Sequence, residues 1–319
     1  MKEYIIKNNE AGQRFDKYLK KILPNASSSF IYKMLRKKNI TLDGHKASGT
    51  EILKIGSDVK IFFSDETFDK FSVDLSALKN EYDALSKLTL SGLKIIFEND
   101  DILIADKPVN MLSQKSGISD ISANERLIGY LISNSGLDFE EFKTFKPSVC
   151  NRLDRNTTGL ILMGKSLKGS QYLSQILKER SIEKYYRTIV AGKVTEPQHI
   201  EGFLTKDKDR NIVKITDKKI DETSTEIKTE YRPIKSNNNV TLLEVHLITG
   251  KSHQIRAHLA SIGHPIIGDP KYGDEKLNNI FMRQYKIKTQ LLHAYKVVFP
   301  DDNSYIAQMP QIYTTIIDG

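Results

Sequence analysis

The chain has 319 residues, 39% hydrophobic and 28% charged, a balance that fits about two folded units and excludes a wholly disordered or fibrous protein. A single cysteine, Cys150, rules out an intramolecular disulfide or a cysteine-built zinc cluster. The net charge is +8, and residues 1–63 hold 13 basic against 6 acidic residues, so nearly all the excess sits in the first fifth of the chain, as in a module that meets a polyanion.

No apolar run approaches the roughly 18 residues needed to span a bilayer, and MKEYIIKNNEAGQR lacks an export signal, so the cytoplasm is the expected location. In the basic module, Phe15, Leu19, Ile22 and Leu23 share one helical face that Pro24 ends. Ser27, Ser28 and Ser29 offer caps for a second helix that buries Phe30, Ile31, Met34 and Leu35 and closes at Asn39. Lys33, Arg36, Lys37 and Lys38 stay outside. Ile40-Thr41-Leu42 then enters a tight turn at Asp43-Gly44, which accepts the positive φ angles of a type I′ hairpin. This stretch, about residues 13–62, resembles the S-four-like RNA-binding domain.

Residues 64–92 read as a linker with room for one helix, and the second unit begins near Leu93. Strands are expected at Ile102–Ala105, Leu160–Met163, Tyr186–Val190 and Val240–Ile248, with a helix over 167–178 that buries Leu173, Ile176 and Leu177. A later helix carries Ile255, Leu259 and Ile262 on one face, capped by Ser252 and ended by Gly263.

Two motifs mislead. Gly159-Leu-Ile-Leu-Met-Gly164-Lys165-Ser166 has the spacing of a phosphate-binding loop, but its four intervening residues belong inside a sheet, where no backbone can wrap a phosphate. His253, His258 and His264 are spaced five and six apart, which does not gather them on one helix face, so no metal site is expected. The informative stretch is Arg152-Leu153-Asp154-Arg155-Asn156-Thr157-Thr158-Gly159. In extended backbone Arg152 and Asp154 point one way and Leu153 the other. Asp154 and Asn156 can equally serve only as turn-forming side chains, and spacing alone names no reaction.

That stretch resembles the central motif of the RluA-type pseudouridine synthases, H-R-L-D-x-x-T-S-G. Asp106-Lys107-Pro108 is similar to the family's first motif, Lys184-Tyr185-Tyr186 to its K-x-Y strand, and Thr249-Gly250-Lys251-Ser252-His253-Gln254-Ile255-Arg256-Ala257-His258-Leu259 to G-R-T-H-Q-I-R-x-H-L. Gly268-Asp269, Tyr272-Gly273 and Leu292-His293-Ala294 continue the match, which spans about residues 93–300. Asn151 stands in place of the family's His, Thr158 of its Ser and Lys251 of its frequent Arg.

The resemblance implies an α+β fold with a mixed, largely antiparallel sheet over 93–319, behind an S-four-like domain at 1–63 and the linker at 64–92. It implies an isomerase that detaches uracil at N1 and reattaches it at C5 in RNA without a cofactor. The expected substrate is large-subunit ribosomal RNA. Transfer RNA, or a non-catalytic RNA-binding role, is the alternative. No membrane, no nucleotide cofactor and a monomeric state are expected. Asp154 is implied as nucleophile or base, Arg256 as the partner keeping it ionised, and Tyr186 as a ring stacked on the uracil or a proton carrier. Arg152 would fill the gap left by the flipped base, while Arg14, Lys33, Arg36, Lys37 and Lys38 would bind phosphates.

Overall fold

A computed structural model describes residues 1–207 and 212–319, and among these the strands form two sheets. The first unit runs β1 (Lys2–Ile5), α1 (Phe15–Ile22), α2 (Ser28–Arg36), β2 (Ile40–Leu42), β3 (His45–Lys46) and β4 (Asp58–Ile61), with sheet order β1-β4-β2-β3. Phe15, Leu19 and Ile22 of α1 are buried as their spacing requires, and Ile31 and Leu35 of α2 face them. Of the three serines, Ser27 is the cap, its side chain accepting from Phe30 N at 3.2 Å. The residue that closes α2 in the left-handed region is Lys38, φ 59°, with Asn39 one place beyond. Asp43 and Gly44 take φ 51° and 75°, as the expected hairpin demands.

Residues 64–92 hold two helices where one was expected, α3 (Asp65–Phe71) and α4 (Leu75–Ser86). Phe68 of α3 packs into the core of the first unit, whereas Leu78 and Leu85 of α4 pack into that of the larger one. Each helix is stabilised by apolar burial against a different unit, worth about 1.5–3 kcal/mol per large side chain. The charged residues between those positions dilute the pattern in the sequence.

The larger unit continues β5 (Lys94–Glu98), β6 (Ile102–Lys107), α5 (Ala123–Asn134), α6 (Phe139–Thr144), β7 (Ser148–Val149), β8 (Thr158–Gly164), α7 (Leu167–Glu179), β9 (Glu183–Ala191) and β10 (Gln198–Asp207). After these come β11 (Ile212–Thr216), β12 (Thr225–Ser236), β13 (Val240–Leu247), α8 (Gln254–Ser261), α9 (Glu275–Tyr285), β14 (Leu292–Val298), β15 (Ser304–Ile306) and α10 (Gln311–Asp318). The strand order is β11-β10-β12-β13-β9-β14-β8-β6-β5, with β15 on β14 and β7 on β8. Among the described residues every pairing is antiparallel except that of β14 with β8, so the sheet is mixed and largely antiparallel, as expected.

Alternation along the strands sorts the two faces. Leu103, Ala105, Ile161, Met163, Tyr186, Val190, Leu243 and Val245 lie in one core with α4, α5, α6 and α8. Ile102, Ile104, Leu160 and Leu162 meet α7, and Ile189 and Leu242 meet α9 and α10, on the other face. The Gly159–Gly164 segment is buried strand, which disposes of a phosphate loop; Lys165 pairs with Glu98 at 2.6 Å, and Ser166 caps α7. Gly159 has φ 107°, and a Cβ there would lie 2.2 Å from the carbonyl oxygen of Ala294. The close parallel pairing of β14 with the start of β8, Ala294 beside Gly159, therefore requires glycine. Among the described residues no helix is long and apolar enough to cross a membrane.

Candidate active site

The loop between β7 and β8 carries Arg152, Leu153 and Asp154, and anchors on several sides fix its shape. Asn151 takes up both halves of a strand-like pairing with β8. Its Nδ2 donates to Leu160 O at 3.2 Å, and its Oδ1 accepts from Leu162 N at 2.7 Å. The Ser113 hydroxyl accepts from Leu153 N at 2.9 Å and donates to Leu153 O at 3.0 Å. Thr157 N donates to Asp154 O at 3.0 Å. From beneath, the Lys107 ammonium donates to the carbonyls of Pro108, Met111 and Arg155 at 3.0, 2.8 and 3.1 Å.

Lys107 is fully buried. Burial pulls its pKa down to about 8, against the charges of Asp154 and Asp106. Its three carbonyl acceptors favour the charged form as well. The sequence contained a signal for this: Leu103, Ala105 and Lys107 share one face of β6 by period two, so Lys107 had to point inward.

Leu153 packs into the core while Arg152 is exposed, as the extended reading requires; Arg155, which strict alternation would turn toward the Leu153 side, is exposed too because the chain turns at Arg155 and Asn156. The Asp154 side chain is 27% exposed, so solvent and a ligand can reach it. Its Oδ2 accepts from Arg256 Nη1 at 2.8 Å. Arg256 comes from α8 and is only 4% exposed, too deep for a surface ion pair. Its remaining edge forms a fork on Asp269, Nε at 2.7 Å and Nη2 at 2.8 Å. Asp269 is itself 1% exposed, and its Oδ1 also accepts from Lys271 N and Tyr272 N. Burial would raise its pKa, but the Arg256 bonds and those backbone N–H groups outweigh that and hold the carboxyl below its usual range. Asp154 and Asp269 likewise keep Arg256 charged against the cost of burial.

The sequence places a helix cap at Ser252, but the structure starts α8 after His253, which takes φ 57°. The side chain of Gln254 ties the turn instead, its Oε1 accepting from Lys251 N and the Thr249 hydroxyl. This turn brings His253 Nε2 to 4.0 Å from Asp154 Oδ1, and its Nδ1 to 3.0 Å from the Tyr272 hydroxyl. That hydroxyl accepts from Val213 N at 2.8 Å, and the Arg256 guanidinium lies 5.3 Å from the Tyr272 ring centre. Burial lowers the His253 pKa against the pull of Asp154, which keeps the imidazole neutral near pH 7. His258 and His264 are spent on Thr229 and on the carbonyl of Ala191.

Tyr186 faces the Asp154 side of the sheet, and Tyr185 the opposite side, where it stacks on His246 with ring centres 4.8 Å apart. Burial first, and the Asp154 charge second, push the Tyr186 pKa up, so its hydroxyl keeps its proton. The Asp154 site thus unites Asp154, Tyr186 and Arg256 from a loop, a strand and a helix far apart in the chain. Lys107, Asp269, His253 and Tyr272 had no role assigned from the sequence, although all stand in the quoted motifs. A cavity of about 800 Å³ lined by His199, Lys218 and His258 lies elsewhere, between the β10–β11 hairpin and α8, and no member of the Asp154 site lines it.

Lys33, Arg36, Lys37 and Lys38 are exposed on the first unit, and none forms an ion pair among the described residues. Arg14 is different: it is bound to Asp16 at 2.8 Å, and Asp16 also accepts from the Tyr32 hydroxyl at 2.7 Å. Its charge is already compensated.

The larger unit has the fold of the pseudouridine synthases. The human RNA Pseudouridylate Synthase Domain Containing 4 structure superposes with a TM-score of 0.56 over 75% of this chain and 95% of its own, at 19% identity. The chain belongs to the RNA pseudouridylate synthase family, whose model matches residues 101–261. It is 30% identical to the ribosomal large subunit pseudouridine synthase C of Rickettsia bellii, across 97% of this chain and 98% of that one. It is 26% identical to the ribosomal large subunit pseudouridine synthase D of Nitrosomonas europaea, across 92% and 79% respectively.

Proposed function

We propose that the protein isomerises uridines in large-subunit ribosomal RNA, with Asp154 as the group that starts the reaction. The observation that carries this reading is the Arg256 guanidinium, which is saturated by buried Asp269 on one edge and presents Nη1 to a solvent-reachable Asp154 on the other. Arg256 engages Oδ2, which leaves Oδ1 as the oxygen for the nucleotide. Similarity over more than nine-tenths of this chain to enzymes named for the large ribosomal subunit supports ribosomal over transfer RNA.

In this reading the target uridine leaves the RNA stack and enters the Asp154 site, at an unstacking cost of about a few kcal/mol. Exposed Arg152 fills the vacated space with its planar guanidinium and contacts phosphate. The N1–C1′ bond then breaks with the Asp154 carboxylate acting on the nucleotide. Uracil turns, the C5–C1′ bond forms, C5 gives up its proton, and N1 gains one. Tyr186 offers its ring for stacking on the base or its hydroxyl, which burial keeps protonated, for proton transfer. Lys33, Arg36, Lys37 and Lys38 bind backbone phosphates from the first unit, which reads as an S-four-like RNA-binding domain, with Arg14 a weaker contributor because of Asp16. The chemistry needs no cofactor.

The test incubates unmodified large-subunit ribosomal RNA with the purified chain and maps pseudouridine by reverse-transcription stops. Discrete new stops are expected. Stops in transfer RNA alone would overturn the ribosomal assignment, and none in either would overturn the activity.

A further inference from the structure

The segment after β6 forms a closed loop beside the Asp154 site. At its neck, Ala123 N donates to Leu112 O at 2.8 Å, and Asn124 N to Ser113 O at 3.2 Å. The Ser122 hydroxyl also donates to Ser113 O, at 3.3 Å. The neck is fastened to the site itself, because Ser113 carries the two hydrogen bonds to Leu153, the residue before Asp154. Loops with closed necks that stand out from a rigid scaffold are frequent carriers of function.

The far end of this loop is not slack. One carboxylate oxygen of Asp120 accepts from Ser116 N at 3.0 Å, the Ser116 hydroxyl at 2.6 Å and Gly117 N at 2.8 Å. That turn presents Ile118 with its side chain wholly in solvent, at 101% exposure, and Ile121 is half exposed three residues on. A lone exposed apolar residue is ordinary on a protein surface. An isoleucine held at full exposure by a three-bond turn, on a loop bonded to the residue before Asp154, is a different situation. The surroundings are basic: Lys115 and Arg155 are exposed, and the Arg155 charge is close enough to act on Asp120.

We propose that Ile118 is a positioning residue for the RNA, packing against the base beside the flipped uridine and holding the strand open while Lys115 and Arg155 meet its phosphates. Removing a nucleotide from a stack bares the faces of its neighbours, and branched apolar side chains are suited to cover them. The occupant is RNA because the apolar tip is set among cations and is continuous with the Asp154 site. This inference rests on the reading of the Asp154 site as a pseudouridine synthase centre.

The test uses the full-length chain and the RNA segment in which the wild-type protein makes pseudouridine, with 2-aminopurine replacing the base beside the converted uridine. Fluorescence reports unstacking, and conversion is followed under single-turnover conditions. Ile118→Asp is expected to lose at least tenfold in kcat/KM and most of the fluorescence change, while Ile118→Phe keeps both within about twofold of wild type. Asp120→Ala, which frees the turn but leaves Ile118 in place, is expected to fall between them. Wild-type behaviour in Ile118→Asp would overturn the proposal. So would a shift in sedimentation for that variant, which would show the tip covering a second copy of the chain. A wild-type chain that converts no uridine would overturn the functional reading and this proposal together, an outcome separate from an active wild type with an unaffected variant.

Discussion

Asp269 fixes Arg256 through a two-bond fork, 2.7 and 2.8 Å, in the plane from which Nη1 reaches Asp154. The Asp154 carboxylate is therefore oriented, through Arg256, by a second carboxylate that is buried from solvent. A lone buried guanidinium would be costly, and a guanidinium held by Asp154 alone would follow every movement of the loop.

Asp269→Asn should accordingly destabilise the fold and misplace Arg256. Breaking a buried pair by removing one partner costs about 3–5 kcal/mol. Urea unfolding should show a loss of that order, with kcat falling more than KM rises. Unchanged unfolding would mean that the fork contributes little.

Arg256→Lys retains the charge but has no planar fork to reach both carboxylates. A loss on the order of 100-fold in kcat is expected from the displaced geometry, with RNA affinity nearly unchanged. Filter binding and single-turnover rates on one RNA separate the two effects, and wild-type kcat would refute the orienting role.

His293, 1% exposed, has a pKa lowered to about 4 by burial, with a bond to the Ala307 carbonyl working weakly against it. In the unfolded chain it titrates near 6.5. Between those values the unfolded state binds more protons, so stability is fully present above about pH 6.5 and is lost as pH falls toward 4. At pH 5 the loss from this group is about 2 kcal/mol relative to pH 7. His293→Gln should remove that part of the acid sensitivity in paired unfolding curves, and an identical pH dependence would contradict it.

Lys33, Arg36, Lys37 and Lys38 replaced together by alanine should weaken RNA binding and reduce the slope of log affinity against log salt by roughly 3. Single-turnover kcat at saturating protein should not move. An unchanged slope would exclude these four side chains as phosphate contacts.

Much of the larger unit is legible in the sequence because its strands alternate cleanly. Leu160 to Met163 sends neighbouring residues to opposite cores, and the same period separates Tyr186 from Tyr185. The pairing of Asp154 with Arg256, 102 positions apart, was accessible only through the family motifs, because no local pattern specifies it. Hidden features depended on distant partners. α4 is held by Leu78 and Leu85 in a core made largely of later residues, and the helix cap read at Ser252 gave way to a left-handed His253 tied to Tyr272. Asn151, which departs from the family's His, turns out to bond along β8 and so has a structural use that its position alone did not disclose.

The most direct measurement of the central claim is release of tritium from RNA labelled at uridine C5, since forming the C5–C1′ bond must expel that hydrogen. With saturating protein, the wild-type chain should release it stoichiometrically with the converted uridines, and Asp154→Asn should bind the same RNA with similar affinity and release none above background. Release by Asp154→Asn at the wild-type rate would contradict the account.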